Sequence, residues 1–383
     1  MDRTTNLGKN IRKYRKIKNM TQSDLAEKLF VTSQNVSKWE KGYSFPDVQN
    51  LCRLSDVLDV SIDKLLGRDP ESNSGRLMIG IDGGGSKTEF CLFAENGSII
   101  KQKQLGGTNP NVYDMNTVSN TLKSGIDLLL DGFPDTVALF AGIAGCANAE
   151  NKAKVKAFLS SQYPKMQIEV GGDSLNSVYS TEYYNSCFAV IAGTGSVVFV
   201  KDGENITRIG GWGYLLDRGY NGFYLGCEVL RAVMADEDGV GEHTSLTLKV
   251  EEMLCAKATD CFSKIYAKSR EEIAAFTRVL FDAYDEGDAV ACKIVKGSLG
   301  ELSQRLCDVM RNYPECDKKI VITGGLTNRK DILLEFLDMP EGAEIVFPDL
   351  PQIYGACHYC VRTFGSPHEG FYETFKKDYG EIK

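Results

Sequence analysis

Hydrophobic positions in the first 66 residues recur with the spacing of short amphipathic helices. Thr21 is suited to cap the second of these helices, and Thr32 or Ser33 the third, which Gly42 would end. The predicted helices cover residues 7–17, 22–30, 34–41, 47–58 and 61–66. The pattern therefore predicts a compact all-helical unit over residues 1–66.

The pattern changes twice further along the chain. Residues 67–76 are mostly polar, contain Pro and Gly and have little to bury, so they are predicted to form a linker. From Leu77 onward, short apolar runs alternate with helical segments. This alternation is typical of an α/β unit with a mainly parallel or mixed sheet.

Two segments of the α/β region share one plan of strand, glycine-rich turn, strand and turn. The first contains Asp82-Gly-Gly-Gly-Ser-Lys-Thr88, and the second contains Ala192-Gly-Thr-Gly-Ser196. Such similarity about a hundred residues apart indicates a duplicated fold. We expect two lobes, residues 77–185 and 186–383, with one phosphate-binding turn in each.

Charge and cysteine content narrow the class of protein. Residues 1–66 hold 12 basic and 8 acidic residues and so carry +4, whereas the rest of the chain carries −12; this asymmetry favours a nucleic-acid-facing N-terminus. The twelve cysteines are scattered, which indicates reduced, mostly buried thiols and a cytoplasmic protein. Cys357 and Cys360 form a CxxC pair, either a redox pair or a coincidence on one helix face. No apolar run reaches the roughly 20 residues that span a bilayer, so no membrane partner is expected.

Residues 20–42 resemble the helix-turn-helix of the Cro/CI-like (XRE) family, with Leu25, Ala26, Leu29, Val36 and Trp39 at its inward positions. In such a domain the second helix of the motif enters the major groove. The resemblance implies operator DNA as a partner and a homodimer or larger assembly, because half-sites are normally read in pairs. It also implies an internal pair between Arg15 and Glu40. The implied base-reading residues are Ser33, Gln34, Asn35 and Lys38, and the implied phosphate contacts are Gln22 and Lys41. The alternative is an ordinary helical hairpin with a solvated polar face.

The two glycine-rich turns have the chemistry of phosphate-binding loops. The first differs from a Walker A loop because Lys87 follows Ser86 rather than Gly, and because the next residues alternate like a strand instead of opening a helix. In such a hairpin, glycines let backbone N–H groups approach phosphate oxygens. Asp82, at the strand end, is placed to hold Mg²⁺ through water. The candidate phosphate ligands are Asp82, Gly84, Gly85, Ser86, Lys87, Thr88, Gly193, Thr194, Gly195 and Ser196.

With these motifs, residues 77–362 resemble the N-acetylglucosamine kinase and BadF/BadG/BcrA/BcrD ATPase family of the actin-like superfamily. Further landmarks lie at residues 107–109, 142–145, 172–173, 210–217, 323–325 and 351–356. The resemblance implies a two-lobed, ribonuclease H-like α/β body behind the all-α head. It also implies ATP and Mg²⁺ as cofactors and a small-molecule sugar as substrate.

The resemblance assigns roles to single residues. Asp173 matches the family's catalytic aspartate, which would take the proton from a sugar hydroxyl; from the residues alone, Asp173 could instead cap the helix that follows. The implied sugar-binding residues are Asn109, Gly211, Trp212 and Asp217, and the implied adenosine-binding residues are Gly324 and Gly325. The alternatives are a core position for Trp212 and an ordinary turn for the two glycines.

Two departures from the family concern the substrate. An acidic-Glu-Gly-Ser-Gly segment usually follows the GGWG motif, whereas this chain has Asp217-Arg-Gly-Tyr-Asn-Gly222. Ala144 stands where an N-acetylglucosamine kinase carries a serine. The sequence predicts a sugar-responsive transcriptional regulator with an amino-sugar kinase domain. The alternatives are a catalytically inactive sugar or nucleotide sensor, a kinase whose head only oligomerises, and an activator ATPase of 2-hydroxyacyl-CoA dehydratases.

Overall fold

The computed structural model of the protein describes residues 4–18, 20–60, 62–66, 75–182 and 184–382. Residues 67–74 of the predicted linker, and Ser61 at the predicted start of the fifth helix, lie outside the described residues. The described part of the head is all-helical, as predicted. Its helices are α1 (Thr4–Ile17), α2 (Gln22–Leu29), α3 (Ser33–Glu40), α4 (Val48–Leu58) and α5 (Ile62–Leu66).

Local capping explains where the helices of the head begin and end. Thr21 and Asp24 form a reciprocal capping box at the start of α2. Thr32, rather than Ser33, caps α3 by accepting a hydrogen bond from the backbone N–H of Asn35. Apolar side chains from all five helices form one core, which contains Ile11, Leu25, Leu29, Val36, Trp39, Leu54 and Leu65.

In the described part of the body, ten strands form two five-stranded sheets. The first sheet contains β1 (Leu77–Gly83), β2 (Lys87–Ala94), β3 (Ile99–Gly106), β4 (Ala138–Ile143) and β5 (Gln167–Gly171) in the order β3-β2-β1-β4-β5. The second contains β6 (Ser186–Ala192), β7 (Ser196–Asp202), β8 (Asn205–Gly210), β9 (Lys319–Thr323) and β10 (Glu344–Val346) in the order β10-β9-β6-β7-β8. In each sheet an antiparallel meander is followed by two parallel strands. The predicted duplication is therefore confirmed.

Helices cover both sheets. Those that follow strands of the first sheet are α6 (Met115–Leu130), α7 (Ala149–Gln162) and α8 (Ser174–Val178). Those that follow strands of the second are α9 (Gly222–Glu237), α10 (Leu246–Leu254), α11 (Phe262–Tyr266), α12 (Arg270–Ala274), α13 (Thr277–Asp285), α14 (Ala289–Asn312) and α15 (Lys330–Phe336). The described chain ends with α16 (Gln352–Phe364) and α17 (Phe371–Ile382), and 3₁₀ turns form at Thr259–Cys261 and Gly325–Arg329.

The last two helices return to the first sheet, which corrects the predicted lobe boundary. Apolar side chains of α16 and α17 share a core with β1, β2 and β4, where the ring of Phe371 meets that of Phe93 at 6.0 Å. Gly80 on β1 lacks a side chain at the contact, since a Cβ there would lie 2.5 Å from Sγ of Cys357. Residues 186–383 therefore do not form one lobe, because their C-terminal part completes the lobe that begins at Leu77.

The cysteines are all free, and most of them are buried, as predicted. Cys357 and Cys360 lie on α16 with no exposed surface, and burial raises the pKa of both thiols. Their spacing is thus a feature of one buried helix face and not a redox site. No helix within the described ranges has the length and apolar character needed to cross a membrane.

Candidate functional site

A cavity of about 320 Å³ brings together residues that are far apart in sequence. One wall comes from the segment that follows β5, and the opposite wall comes from the second glycine-rich turn, β8 and the segment after it. Among the predicted site residues, the cavity is lined by Asp173, Thr194, Gly195, Ser196, Gly211 and Asp217. The lining thus combines the predicted catalytic carboxylate with a phosphate turn and part of the predicted sugar site.

Asp173 is open to this cavity and does not cap a helix. It precedes α8, but its backbone is helical and its side chain makes no capping hydrogen bond. The alternative role as an N-cap is therefore excluded. Asp173 is exposed to the cavity, yet the protein packed around it disfavours the charged form and raises the pKa of the carboxyl group above the usual range. A carboxylate with a raised pKa is better matched to accepting a proton near neutral pH.

Asp82 lies at the end of β1, outside the cavity lining but close enough to Asp173 for their charges to interact. Burial raises the pKa of Asp82 to about 6, and the neighbouring charges of Glu89 and Asp173 act in the same direction. The side-chain amide of Asn176 opposes this shift, because its Nδ2 donates to Oδ1 of Asp82 at 2.6 Å. Asn176 itself is completely buried.

The first glycine-rich turn is the tight hairpin that the sequence predicts. The backbone N–H of Gly84 donates to the carbonyl of Lys87 at 2.9 Å, and Gly85 and Ser86 are exposed at the tip. The ammonium group of Lys87 pairs with Glu89 at 2.6 Å. The prediction that Thr88 binds phosphate is wrong. Thr88 faces the side of β2 opposite to Lys87 and Glu89, where it is fully buried, and its hydroxyl shares a hydrogen bond with that of Thr108 at 2.9 Å. Its hydroxyl is therefore not presented to a phosphate at the turn.

The second turn is fixed by the start of α9. The backbone N–H groups of Gly222 and Phe223 donate to the carbonyls of Gly193 and Thr194 at 2.7 and 2.9 Å. A Cβ added at Gly193 or Gly195 would meet nothing within 4 Å, so the backbone of this turn is open to a ligand. Asn221 caps α9 and lies 3.5 Å from the hydroxyl of Ser196. The turn and the helix thus hold each other in place.

The predicted adenosine turn and Asn109 lie outside the lining of the cavity. Gly324 has φ +100, and a Cβ there would lie 2.4 Å from the carbonyl oxygen of Ala192, so only glycine fits this contact. Asn109 is used locally, since its Oδ1 accepts the backbone N–H of Asn111 at 2.9 Å.

Trp212 is not a core residue, so the alternative of a core position is excluded. Its side chain is 65% exposed, and the guanidinium group of Arg208 lies 4.4 Å from the centre of its ring. Asp217 stabilises the same segment, because its carboxylate accepts the backbone N–H of Gly213 at 2.7 Å. Trp212 itself does not line the cavity, although Gly211 and Gly213 on either side of it do.

In the head, the predicted reading residues lie on the outer face of α3 and just beyond it. Ser33, Gln34, Asn35, Lys38 and Lys41 are all exposed. The side chain of Gln22 is bound internally, because its Nε2 donates to Glu40 at 2.7 Å. Glu40 also pairs with Arg15, as predicted, and these donors outweigh burial and lower the pKa of the carboxyl group. The side-chain amide of Gln22, a predicted phosphate contact, is therefore engaged within the head.

Family comparisons agree with this architecture. The model of the BadF/BadG/BcrA/BcrD ATPase family matches residues 79–357. The chain belongs to this family. A helix-turn-helix model matches residues 11–65, so the ATPase body follows a helix-turn-helix domain.

Individual relatives divide in the same way between body and head. Over 270 residues, which are 68% of this chain and 88% of the relative, the chain is 28% identical to the N-acetylmuramic acid/N-acetylglucosamine kinase of Clostridium acetobutylicum. The head is 41% identical over 66 residues, 17% of this chain and 52% of the relative, to the HTH-type transcriptional regulator ImmR of Bacillus subtilis. A crystal structure of a candidate N-acetylglucosamine kinase from Porphyromonas gingivalis superposes with a TM-score of 0.58 and 21% identity, covering 74% of this chain and 98% of that one. The last comparison shows that the body of this ATPase-family member has the same fold.

Sequence reasoning missed three polar residues at the site of this ATPase-family body: Asn176, Arg208 and Arg270. Asn176 follows Asp173 by three residues, a spacing that puts two side chains on one helical face. That spacing was the one signal available for it. Arg208 and Arg270 carry no such signal, since their approach to the cavity depends on how β8 and α12 pack.

Proposed function

We propose that this protein is a sugar-responsive transcriptional regulator whose ATPase-family body phosphorylates an amino sugar with MgATP. One observation carries the proposal: a single cavity joins Asp173 to the Thr194–Ser196 turn and to the Gly211–Asp217 segment. A kinase needs a base, phosphate-binding donors and a sugar-binding wall within reach of each other. The kinase relative supports the same reaction class.

The residues present fit the nucleotide and the cation that this reaction requires. Gly85 and Gly195 have open space where a side chain would stand, so phosphate oxygens can approach the backbone of both turns. The backbone N–H of Gly193 is engaged within its own turn, because it donates to the carbonyl of Gly195 at 2.9 Å. Asp82 offers a carboxylate, and oxygen donors suit Mg²⁺, which often keeps several of its waters and is then held through them. Asp82, with its Oδ1 fixed by Asn176, would hold the cation beside the phosphates.

The reaction then needs one proton transfer at the protein. Asp173 would accept the proton of the sugar hydroxyl as the hydroxyl oxygen bonds to the γ-phosphorus of ATP and the bond between that phosphorus and the leaving ADP breaks. The raised pKa suits this carboxylate to the task. Bound Mg²⁺ supplies positive charge that offsets the charge of the transferred phosphoryl group. Gly211, which lines the cavity, would contact the sugar, and the exposed ring of Trp212 is the next residue along the chain.

The head gives this chemistry a regulatory output. The exposed polar face of α3 reads operator DNA, and two copies of the chain read the two half-sites as a homodimer. Ligand binding in a cleft between two lobes favours a closed arrangement, which would bias the geometry of the paired heads. The relative that is similar to the head is a transcriptional regulator, which supports this part of the proposal.

A second function has one specific observation in its favour. Tyr220 belongs to the segment after GGWG that differs from the family pattern. It is buried, and its hydroxyl has no hydrogen-bond partner among the described residues. Tyr220 is a bulky core residue at a position where the family has a small one. This difference favours a cleft that binds its ligand without catalysing a reaction. In that case the protein is a sensor that uses the same cavity.

The deciding experiment incubates the purified full-length protein with MgATP and a panel of hexoses and N-acetylhexosamines and follows ADP release. Asp173→Asn is expected to abolish sugar-dependent release while leaving nucleotide binding intact. Asp135→Asn, at an exposed position of the first lobe, serves as the matched control and should retain activity. Nucleotide binding without release for any sugar would support the sensor instead.

A further inference from the structure

Two arginines at the cavity have no counter-charge. Arg208, on β8, and Arg270, the first residue of α12, both line the cavity. Both are exposed, and neither forms a hydrogen bond or an ion pair with any residue that the structure describes. Their guanidinium groups therefore present free donors to whatever enters the cavity.

Each arginine is held in place by an aromatic ring rather than by a carboxylate. Arg208 stacks on Trp212 at 4.4 Å, and Arg270 lies 5.7 Å from the ring centre of Tyr214. A guanidinium group stacked on a ring keeps its N–H groups at the edge free for a planar, two-pronged contact. Stacking thus orients both groups without satisfying their hydrogen bonds.

The acidic groups of the cavity do not neutralise these charges. Asp217 is turned to the backbone N–H of Gly213 at 2.7 Å, and neither Asp217 nor Asp173 forms an ion pair with either arginine in the part of the chain that the structure describes. Arg329 in the same lobe differs, because it pairs with Asp285 and Asp331. In a chain with a net charge of −8, two unpaired guanidinium groups on one cavity mark a place for an anion.

The position of the two arginines favours the sugar, rather than the nucleotide, as the ligand that carries the anionic group. Their aromatic partners, Trp212 and Tyr214, belong to the segment after β8 and not to either glycine-rich turn. A neutral sugar would leave both guanidinium groups without a partner, whereas a carboxylate or a phosphate can accept paired N–H bonds from them.

We propose that Arg208 and Arg270 form an anion subsite, and that the sugar bound in this cavity carries an acidic group, a carboxylate or a phosphate. This inference rests on the proposed function, because it assumes that the cavity binds a sugar. It adds the charge class of the ligand and the two residues that select it.

The test is calorimetric titration of the full-length protein, in the presence of MgADP, with three probes. These are N-acetylmuramic acid, which carries a carboxylate, N-acetylglucosamine 6-phosphate, and neutral N-acetylglucosamine. At least one acidic probe is expected to bind roughly tenfold or more tightly than the neutral sugar, since each charge-assisted contact contributes about that factor. Which acidic probe binds distinguishes a carboxylate from a phosphate.

Substitutions assign the effect to residues. Arg208→Gln and Arg270→Gln should each weaken the acidic probe roughly tenfold to a hundredfold and leave the neutral sugar and MgADP unchanged. Arg278→Gln, an exposed arginine on α13, is the matched control and should change nothing. Equal affinity for neutral and acidic sugars would overturn the anion subsite while leaving the kinase proposal intact. Weaker MgADP binding in both variants would reassign the arginines to the nucleotide phosphates, and binding of no sugar at all would overturn both proposals.

Discussion

Nδ2 of Asn176 lies 2.6 Å from Oδ1 of Asp82 and 3.1 Å from the carbonyl oxygen of Gly142, so one amide joins the ends of β1 and β4. The fit leaves no spare room. A Cβ at Gly142 would lie 2.0 Å from Oδ1 of Asn176, and one at Gly355 on α16 would lie 1.8 Å from its backbone oxygen. Asn176 therefore fixes the direction in which the carboxylate of Asp82 points, next to the proposed cation position.

Replacing Asn176 with alanine should weaken both the fold and MgADP binding. The variant leaves two buried acceptors without this donor, which costs about 1–3 kcal/mol of unfolding free energy. It also frees the carboxylate of Asp82, so the affinity for MgADP should fall by more than the affinity for ADP without the metal. Urea unfolding and calorimetric titration measure the two effects.

Asn312→Ala is the control for this substitution, because Asn312 is exposed at the end of α14. It should leave both measurements unchanged. If Asn176→Ala had the unfolding free energy and the MgADP affinity of the wild type, the orientation of the Asp82 carboxylate would not depend on this hydrogen bond.

What the sequence predicts well is local. The capping residues of α2 and α3 and the two glycine-rich hairpins lie within a few residues of the elements they define, so residue type and spacing were enough to find them. The buried position of Thr88 was also within reach, because strand alternation places it on the same face of β2 as Phe90.

What the sequence does not reveal depends on distant packing. Asn176 and Asp82 are separated by 94 positions, and nothing in either segment identifies the other as its partner. The same holds for α16, whose apolar face would suit either sheet of a duplicated fold. The core that α16 shares with β1, β2 and β4, which includes the close approach of Gly80 to Cys357, shows which sheet it covers.

Two exposed residues of the head should affect DNA binding differently. Gln34 lies in the first turn of α3, and its amide can pair with a base edge, so Gln34→Ala should cost about 1–3 kcal/mol at one base pair and relax the preference there. Lys41, at the C-cap of α3, is proposed to contact phosphate. Lys41→Ala should weaken binding to all DNA sequences alike. It should also reduce the slope of the logarithm of the binding constant against the logarithm of salt concentration by about 1.

Selection of binding sites from a random DNA library, followed by titrations at several salt concentrations, measures both effects. Glu27→Ala, at an exposed position on α2 outside the reading face, is a suitable control. A change of base preference in Lys41→Ala, or none in Gln34→Ala, would contradict the assignment of these two roles.

His358 is expected to make the stability of the body depend on pH. It is buried on α16, with its Nδ1 3.2 Å from the carbonyl oxygen of Tyr179 and its ring 5.4 Å from that of Tyr354. Burial lowers the pKa of His358 to about 4, and the charges of Arg362 and Lys201 act in the same direction. The carbonyl groups of Tyr179 and Thr181 act in the opposite direction and do not compensate.

The sign of the effect follows from which state binds the proton. Above a pH of about 6.5 His358 is neutral in both states and contributes nothing to the pH dependence. Between about 6.5 and 4 the unfolded chain takes up a proton that the folded protein does not, so the folded state loses up to roughly 3 kcal/mol as the pH falls. His358→Asn removes this proton uptake, so its unfolding free energy should fall less than that of the wild type between pH 7 and pH 4.5, although the variant is less stable at pH 7. Urea titrations at the two pH values measure this decline in unfolding free energy. His368→Asn, at an exposed position, is the control and should show the same decline as the wild type. An equal decline in all three proteins would mean that other groups cause the acid sensitivity.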